Sequence, residues 1–223
     1  MQHVIIGGGP AATNAIETIR EFDGGQSTIT LLCDEPAHSR MALPYWLAGT
    51  IPEAHTHTGD GAYFARLQVA TRFGVRVTAV DPRGKTVMLA DGGKLDFDKL
   101  LIATGSSPLR PSIPGADLPG VEPLWSLAHT ERVLKYAASL QPAGRTPRVV
   151  LVGAGFIGFI VLNAMFKRKW QLAVVERERQ VLPRMLDDPA AEHVRRWLET
   201  RAIPVHCGAT VQRIRQEADG AKA

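Results

Sequence analysis

The apolar positions of this chain fall into short β-branched runs, and two of these runs lead into segments with helical spacing. The first pattern predicts a strand, a helix and a second strand over residues 3–6, 10–21 and 27–33. The same order returns past the midpoint, over residues 148–152, 156–169 and 171–176. Two β-α-β units in one chain predict an α/β fold.

The pattern outside these units predicts smaller elements. A loop over 39–53 precedes a helix over 63–71, and alternating runs over 75–81, 85–91 and 94–105 predict strands, with a hairpin turn at Asp91-Gly92-Gly93. Prolines and serines in residues 106–115 exclude regular structure and mark the exit from a first domain. Two helices over 126–140 and 190–201 and a last strand pair over 203–208 and 210–216 complete the prediction.

Both β-α-β units contain the G-x-G-x-x-G/A pattern between the first strand and the helix. The matching positions are Gly7, Gly9 and Ala12 in the first unit, and Gly153, Gly155 and Gly158 in the second. The first glycine permits a tight turn, the second lets backbone N–H groups approach a pyrophosphate, and the third residue lets the helix pack close to the strand. One such match is weak evidence, but two in strand–turn–helix context favour dinucleotide binding.

Composition narrows the class of protein further. The chain has 223 residues, 45% of them hydrophobic, and a formal net charge of +4. No apolar run approaches the roughly 20 residues that span a bilayer, and the scattered basic residues predict no nucleic-acid partner. Residues 1–6 lead straight into a glycine turn without the features of a signal peptide, so we expect a cytoplasmic protein. His55 and His57 lack further ligands at suitable spacing, so no metal site is expected.

The order of motifs resembles the two-dinucleotide flavoproteins, the pyridine nucleotide–disulfide oxidoreductase family that includes ferredoxin and rubredoxin reductases and the flavin module of nitrite reductase. The motifs are the first fingerprint, the LLIATGSSP segment, the proline-rich exit and the second fingerprint. The resemblance covers nearly the whole chain. It implies two Rossmann-like, three-layer ββα-type domains, with FAD bound by residues 1–114 and NAD(H) by residues 115–223.

The resemblance also implies a missing part. Family members return after the NAD domain to complete the FAD domain, and then add an interface domain with dimer contacts. This sequence stops at Ala223, so the first domain is expected to be incomplete for lack of its C-terminal return. A homodimer and a second chain that completes the FAD domain both stay open.

For FAD, the resemblance implies contacts from the first fingerprint and from the ends of neighbouring strands. Asp34 would accept hydrogen bonds from the ribose hydroxyls, with Glu35 beside it, and Arg40 would contact the flavin nucleotide. The remaining residues are at the pyrophosphate (Gly7, Gly9, Pro10, Ala12), at the adenine (the Val77 backbone) and at the end of a buried strand (Thr104, Gly105). The alternative is a degenerate Rossmann turn that binds no ligand and leaves Asp34 and Glu35 solvated.

For the nicotinamide dinucleotide, the expected contacts are the second fingerprint and an acid at the end of the following strand. The fingerprint residues are Gly153, Gly155, Ile157 and Gly158. Glu176 would accept from the adenosine 2′-OH and repel a 2′-phosphate, which favours NADH over NADPH. Arg177 and Arg179 weaken this preference if they pair with a 2′-phosphate, and are otherwise surface residues.

No catalytic side chain is predicted. In the family that the sequence resembles, disulfide reductases carry a C-x4-C pair on the first domain, whereas NADH oxidases and CoA-disulfide reductases carry a single cysteine shortly before an L-P-Y sequence. This chain has neither pattern, and Met41 lies where the single cysteine would be expected. A thioether forms no thiolate, so the flavin would be the only redox centre. The expected activity is hydride transfer from NADH to FAD, followed by electron transfer to a redox protein or a small molecule. The alternative is a non-catalytic nucleotide-binding subunit or fragment of a split flavoenzyme.

Overall fold

The computed structural model describes residues 1–140, 144–217 and 220–222. The strands, in chain order, are β1 (Gln2–Ile6), β2 (Thr28–Cys33), β3 (Val69–Phe73), β4 (Val77–Asp81), β5 (Thr86–Leu89), β6 (Lys94–Asp96), β7 (Lys99–Ile102), β8 (Arg148–Val152), β9 (Gln171–Glu176), β10 (Val205–Cys207), β11 (Arg215–Glu217) and β12 (Gly220–Lys222). The α-helices are α1 (Pro10–Asp23), α2 (Leu43–Ala48), α3 (Gly61–Arg66), α4 (Leu127–Leu140), α5 (Phe156–Lys167) and α6 (Asp188–Glu199). None of the helices in the described part of the chain is both long and apolar enough to cross a bilayer.

The chain forms two compact units. The first consists of Met1–Ala42 and Pro52–Ser107, and the second of Leu43–Ile51 and Pro108–Ala223. Each unit therefore contains one of the two fingerprints. The functional boundary between residues 114 and 115 stays a prediction, because compactness alone does not show which residues bind a ligand.

The first unit is a three-layer structure around a parallel sheet in the order β3-β2-β1-β7. Successive residues of a strand point to opposite faces, and β1 shows this directly. Ile5 packs with Ile16 of α1 and Phe64 of α3 on one face. Val4 and Ile6 pack with Val87 and Leu89 of the antiparallel sheet β4-β5-β6 on the other. The layers are therefore helices, parallel sheet and antiparallel sheet.

The second unit is built on a smaller parallel sheet in the order β10-β9-β8. Its core joins the sheet residues Leu172 and Val174 to Leu162 of α5 and Leu198 of α6. The buried Leu47 of α2 belongs to the same core. β11 and β12 form a separate antiparallel pair.

Three predicted elements were wrong. The loop predicted over 39–53 contains α2, because Leu43 and Leu47 lie one helical turn apart and both are buried. The helix predicted over 63–71 ends at Arg66, since the following residues form β3 and pair in parallel with β2. The last two predicted strands do not pair with each other: β10 joins the parallel sheet beside β9, and β11 pairs with β12.

Candidate functional site

The turn after β1 can only be made by glycine at its first position. Gly7 has a φ of +108°, and a Cβ atom there would lie 2.3 Å from the Ala103 carbonyl oxygen. The Gly7 N–H donates to the Leu32 carbonyl at 2.8 Å. The turn is thus fixed between the strand ends on either side of β1.

The start of α1 is open to a ligand. Gly9 is the N-cap residue of α1 and has an extended conformation, with no side chain to cap the helix. Pro10 follows as the first residue of α1. A Cβ built on Gly9 meets no atom within 4 Å, whereas Ala12 is fully buried against the sheet. The first turn of α1 holds no acidic residue, so the partial positive charge of the helix end has no protein carboxylate on that turn and suits a phosphate group.

Of the other residues predicted for FAD, Asp34 and Glu35 follow β2 of the same sheet, whereas Val77 belongs to the antiparallel sheet. Asp34 follows β2, is exposed, and accepts a hydrogen bond from Arg76 at 3.0 Å. A carboxylate oxygen of Glu35 lies 3.7 Å from the Nε2 atom of His38. Val77 begins β4 directly after Arg76 and is partly buried, which puts it in the segment that contacts Asp34.

Arg40 lies against the segment that follows β7. Its guanidinium donates to the Ser106 carbonyl at 3.0 Å, and its nitrogen atoms lie beside Gly105, which has a φ of +67°. Thr104 is exposed in the same segment. Since the carboxyl ends of parallel strands meet at one edge of the sheet, the structure brings Gly9, Asp34 and Thr104 to the same edge.

The second fingerprint repeats the first closely. Gly153 has a φ of +98°, and its N–H donates to the Val175 carbonyl at 2.8 Å, as Gly7 does to Leu32. Gly155 is an N-cap residue with φ −81° and ψ −179°, and a Cβ there also meets nothing within 4 Å. On Gly158 a Cβ would lie 2.6 Å from the Gly153 carbonyl oxygen, so this glycine is needed for close packing of α5.

Glu176 is the predicted acid at the end of β9, and the residue is only 7% exposed. One carboxylate oxygen accepts from the Ala154 N–H at 2.6 Å, and the other from the Glu178 N–H at 2.9 Å. An ionised carboxylate offers about four acceptor positions. Glu176 therefore ties the strand end to the glycine turn and keeps capacity for further donors such as ribose hydroxyls.

A cavity of about 800 Å³ lies against this turn in the second unit. Its walls include all the residues predicted for the nicotinamide dinucleotide, together with Arg177: Gly153, Gly155, Ile157, Gly158, Glu176 and Arg177. Other walls are apolar, for example Val133 and Leu124. This size and mixture of surfaces are typical of small-molecule sites.

Sequence reasoning missed three contributors to these sites. Glu178 and Ala154 supply the backbone N–H groups bound by Glu176, and Arg76 binds Asp34. The contact between Glu176 and Glu178 has no signal in the sequence, because binding to the backbone two residues on is typical of Asp and Asn rather than of Glu. Arg76 offered none, since it lies 42 residues from Asp34.

The two cysteines are poorly suited to thiolate chemistry. Burial raises the pKa of the Cys33 thiol, and burial together with the nearby Glu176 carboxylate raises the pKa of Cys207. Met41 is 71% exposed but cannot ionise. Within residues 1–140, 144–217 and 220–222, no three His, Cys, Asp or Glu side chains are grouped to hold a metal ion.

Solved structures share this architecture. The chain superposes with a TM-score of 0.88 on an NAD-dependent persulfide reductase from A. fulgidus, at 30% identity over 99% of this chain and 42% of that one. A ferredoxin reductase from Rhodopseudomonas palustris gives a TM-score of 0.85 at 24% identity, over 99% of this chain and 53% of that one. These matches confirm the α/β Rossmann-like fold that the sequence predicts.

Curated relatives agree with the structural matches. The epsilon subunit of NADH-dependent phenylglyoxylate dehydrogenase from Aromatoleum evansii is 30% identical over 99% of this chain and 51% of its own length. NADH oxidase from Methanocaldococcus jannaschii is 30% identical over 96% of this chain and 48% of its own. The chain spans about half the length of these relatives. The family model described as pyridine nucleotide-disulphide oxidoreductase matches residues 1–223, and this chain therefore belongs to that family.

Proposed function

We propose that this protein is an FAD-dependent oxidoreductase that takes hydride from NADH and passes electrons to a redox protein or a small acceptor. The observation that carries the proposal is the pair of matching turns at Gly7–Gly9 and Gly153–Gly155. Each turn ends in an uncapped helix N-terminus with open space at the second glycine. Two dinucleotides in one chain are what an electron path from a nicotinamide to a flavin requires.

The first unit fits FAD. Gly7, Gly9, Pro10 and Ala12 would hold the pyrophosphate, because Gly9 leaves space for it and the N-terminus of α1 faces that space. Asp34 would accept from the ribose hydroxyls, with Glu35 nearby. Arg40, Val77, Thr104 and Gly105 complete the proposed contacts, and residues 1–114 would form the FAD-binding domain.

The second unit fits NADH. Gly153, Gly155, Ile157 and Gly158 would hold the pyrophosphate, and Glu176 would accept from the adenosine ribose within the same cavity. The Glu176 carboxylate also disfavours a 2′-phosphate by like-charge repulsion, which supports NADH over NADPH. Residues 115–223 would form the NAD(H)-binding domain.

Bound FAD would supply the redox chemistry, by accepting hydride from the nicotinamide and releasing electrons to the acceptor. The residues of the chain bind and orient the two dinucleotides, and no side chain has to move a proton in the hydride step. The raised pKa values of Cys33 and Cys207 argue against a thiol relay. We therefore propose an acceptor that takes electrons directly from a flavin.

A redox protein is the acceptor that the relatives support. The ferredoxin–NAD(+) reductase component of the biphenyl dioxygenase system of Paraburkholderia xenovorans is 32% identical over 94% of this chain and 50% of its own length. Rhodocoxin reductase of Rhodococcus erythropolis is 32% identical over 83% of this chain and 43% of its own. These relatives are named as reductases of ferredoxin and of rhodocoxin, and we propose a redox protein as the partner here.

The test is a visible absorption spectrum of the purified chain with FAD, before and after anaerobic addition of NADH. We expect a flavin spectrum that NADH bleaches and that an artificial electron acceptor restores. A protein that binds no flavin, or a flavin that NADH leaves oxidised, would contradict the proposal. The second result would favour a nucleotide-binding subunit without activity of its own.

A further inference from the structure

The turn after β9 holds the backbone of Glu178 in place. The Glu178 N–H donates to the Glu176 carboxylate at 2.9 Å, and the Glu178 carbonyl accepts from the Gly208 N–H at 2.8 Å. Because both backbone groups are bound, the Glu178 side chain starts from a fixed point beside Arg177. Glu176, at the end of β9, therefore also fixes the backbone of Glu178.

Arg177 is the cation of this turn that reaches the candidate dinucleotide cavity, since it lines the cavity with Gly155 and Glu176. Its Nε atom donates to a Glu178 carboxylate oxygen at 3.1 Å. The two side chains are 75% and 50% exposed. Arg179 differs, because it pairs with Asp188 at 2.8 Å and is not among the described residues that line the cavity.

A 2′-phosphate on the adenosine ribose needs a cation, and a free guanidinium supplies one with two parallel N–H donors. Arg177 lines the cavity, but Glu178 accepts from its Nε donor and places a negative charge beside the guanidinium. We infer that Glu178 is a specificity-determining residue that lowers the affinity for 2′-phosphorylated dinucleotides by pairing with Arg177. This inference rests on the proposed binding of a nicotinamide dinucleotide in the cavity.

The size of the effect follows from the exposure of the pair. Exposed ion pairs contribute little, on the order of a two- to fivefold change in an equilibrium constant. NADH has a hydroxyl where NADPH has the phosphate, so its binding does not depend on a free Arg177. The pair therefore changes the ratio of the two affinities, and leaves NADH binding itself unchanged.

The experiment measures dissociation constants for NADH and NADPH by isothermal titration calorimetry, using the full chain and the variant Glu178→Gln. Glutamine keeps the backbone N–H that binds Glu176 and removes the charge. We expect NADPH to bind about two- to fivefold more tightly and NADH to bind as before. In an Arg177→Ala background the same substitution should have no effect, because there is no guanidinium to release.

Asp188→Asn is the matched control. It removes the partner of Arg179, which lies off the cavity, so the NADPH affinity should not change. A gain for NADPH that persists in the Arg177→Ala background would show direct repulsion by Glu178 and overturn the pairing. If the wild-type protein binds NADH but Glu178→Gln leaves the ratio of the NADPH and NADH dissociation constants unchanged, this inference alone would be overturned. Wild-type protein that binds neither dinucleotide would overturn the proposed function and the inference with it.

Discussion

The Glu176 carboxylate combines a structural role with the proposed binding role. It is buried and accepts backbone N–H groups from Ala154 and Glu178. In Glu176→Gln, the amide NH₂ faces one of these donors, which then loses its acceptor. A buried donor without a partner costs roughly 1–3 kcal/mol, and we expect the free energy of unfolding to fall by that amount. We also expect NADH affinity to fall about tenfold, since a charge-assisted hydrogen bond to the ribose is lost.

Urea unfolding and calorimetric titration with NADH measure these two effects. Glu178→Gln is the control for stability, because its side chain is half exposed and its backbone contact is kept. Unchanged stability and unchanged NADH affinity in Glu176→Gln would remove both assigned roles.

Gly7 and Gly9 separate folding from binding at the first turn. In Gly7→Ala the new methyl group meets the Ala103 carbonyl at 2.3 Å and the residue keeps a φ of +108°, so we expect a loss of roughly 3 kcal/mol. In Gly9→Ala the methyl group enters open space, and stability should fall by roughly 1 kcal/mol or less. The second variant should instead lose FAD, because the methyl group occupies the space proposed for the pyrophosphate.

Thermal unfolding and the flavin-to-protein absorbance ratio separate the two glycines. Retention of FAD by Gly9→Ala would contradict the proposed place of the pyrophosphate. Normal stability of Gly7→Ala would mean that the turn can relax away from Ala103.

Among the elements, α6 is one whose contribution to stability we expect to depend on pH. Hydrogen bonds from Arg195 and Arg196 lower the pKa of Glu192 from 4.5 to about 2. A carboxyl whose folded pKa is depressed stabilises the folded state above its unfolded pKa, and this contribution disappears as the pH falls through the folded value. We therefore expect the stability of the wild-type protein to fall between about pH 4.5 and pH 2. The fall should be smaller in Glu192→Gln.

Thermal unfolding at a series of pH values tests this, with high salt as a second condition because exposed ion pairs are screened. If the stability of wild type and of Glu192→Gln falls equally between about pH 4.5 and pH 2, other carboxyl groups determine the loss of stability in acid.

The elements also show which structure could be predicted from sequence. β8 and β9 have the predicted bounds, because both are short runs rich in β-branched and other apolar residues, a local signal that needs no knowledge of the partner strand. α2 was missed because Pro44 and Gly49 resemble loop residues, although Pro44 lies in the first turn, where its missing N–H costs nothing. β3 was missed because its structure comes from pairing with β2, a long-range contact with no local signal.

The residues of the candidate sites also fall into two groups, those that a local motif predicts and those whose contacts depend on the folded chain. The glycines and Glu176 were predicted because the backbone geometry of the turn restricts which residues can occupy it. Arg76 and the Arg177–Glu178 pair depend on where side chains meet in the folded chain. A fingerprint thus predicts the backbone geometry of the turn better than it predicts the charged contacts around it.

For the whole molecule, the two binding functions should be separable. The hydrogen bonds and close contacts at Gly7 and Gly9 are made within the first unit, and those at Gly153, Gly155 and Glu176 within the second. We therefore expect Gly9→Ala to lose FAD and still bind NADH with wild-type affinity. Gly155→Ala should keep a normal flavin spectrum but bind NADH weakly, because its methyl group enters the space proposed for the NADH pyrophosphate.

The two variants make a crossed test that uses two independent measurements on each protein. Flavin absorbance reports the first site, and calorimetric titration with NADH reports the second. Neither variant should show NADH-dependent bleaching, since one lacks the hydride acceptor and the other lacks the donor, and a mixture of the two should not restore it if electrons pass only within a chain. Loss of NADH binding in Gly9→Ala would show that FAD is required to form the second site, and would replace two separable functions with a coupled one.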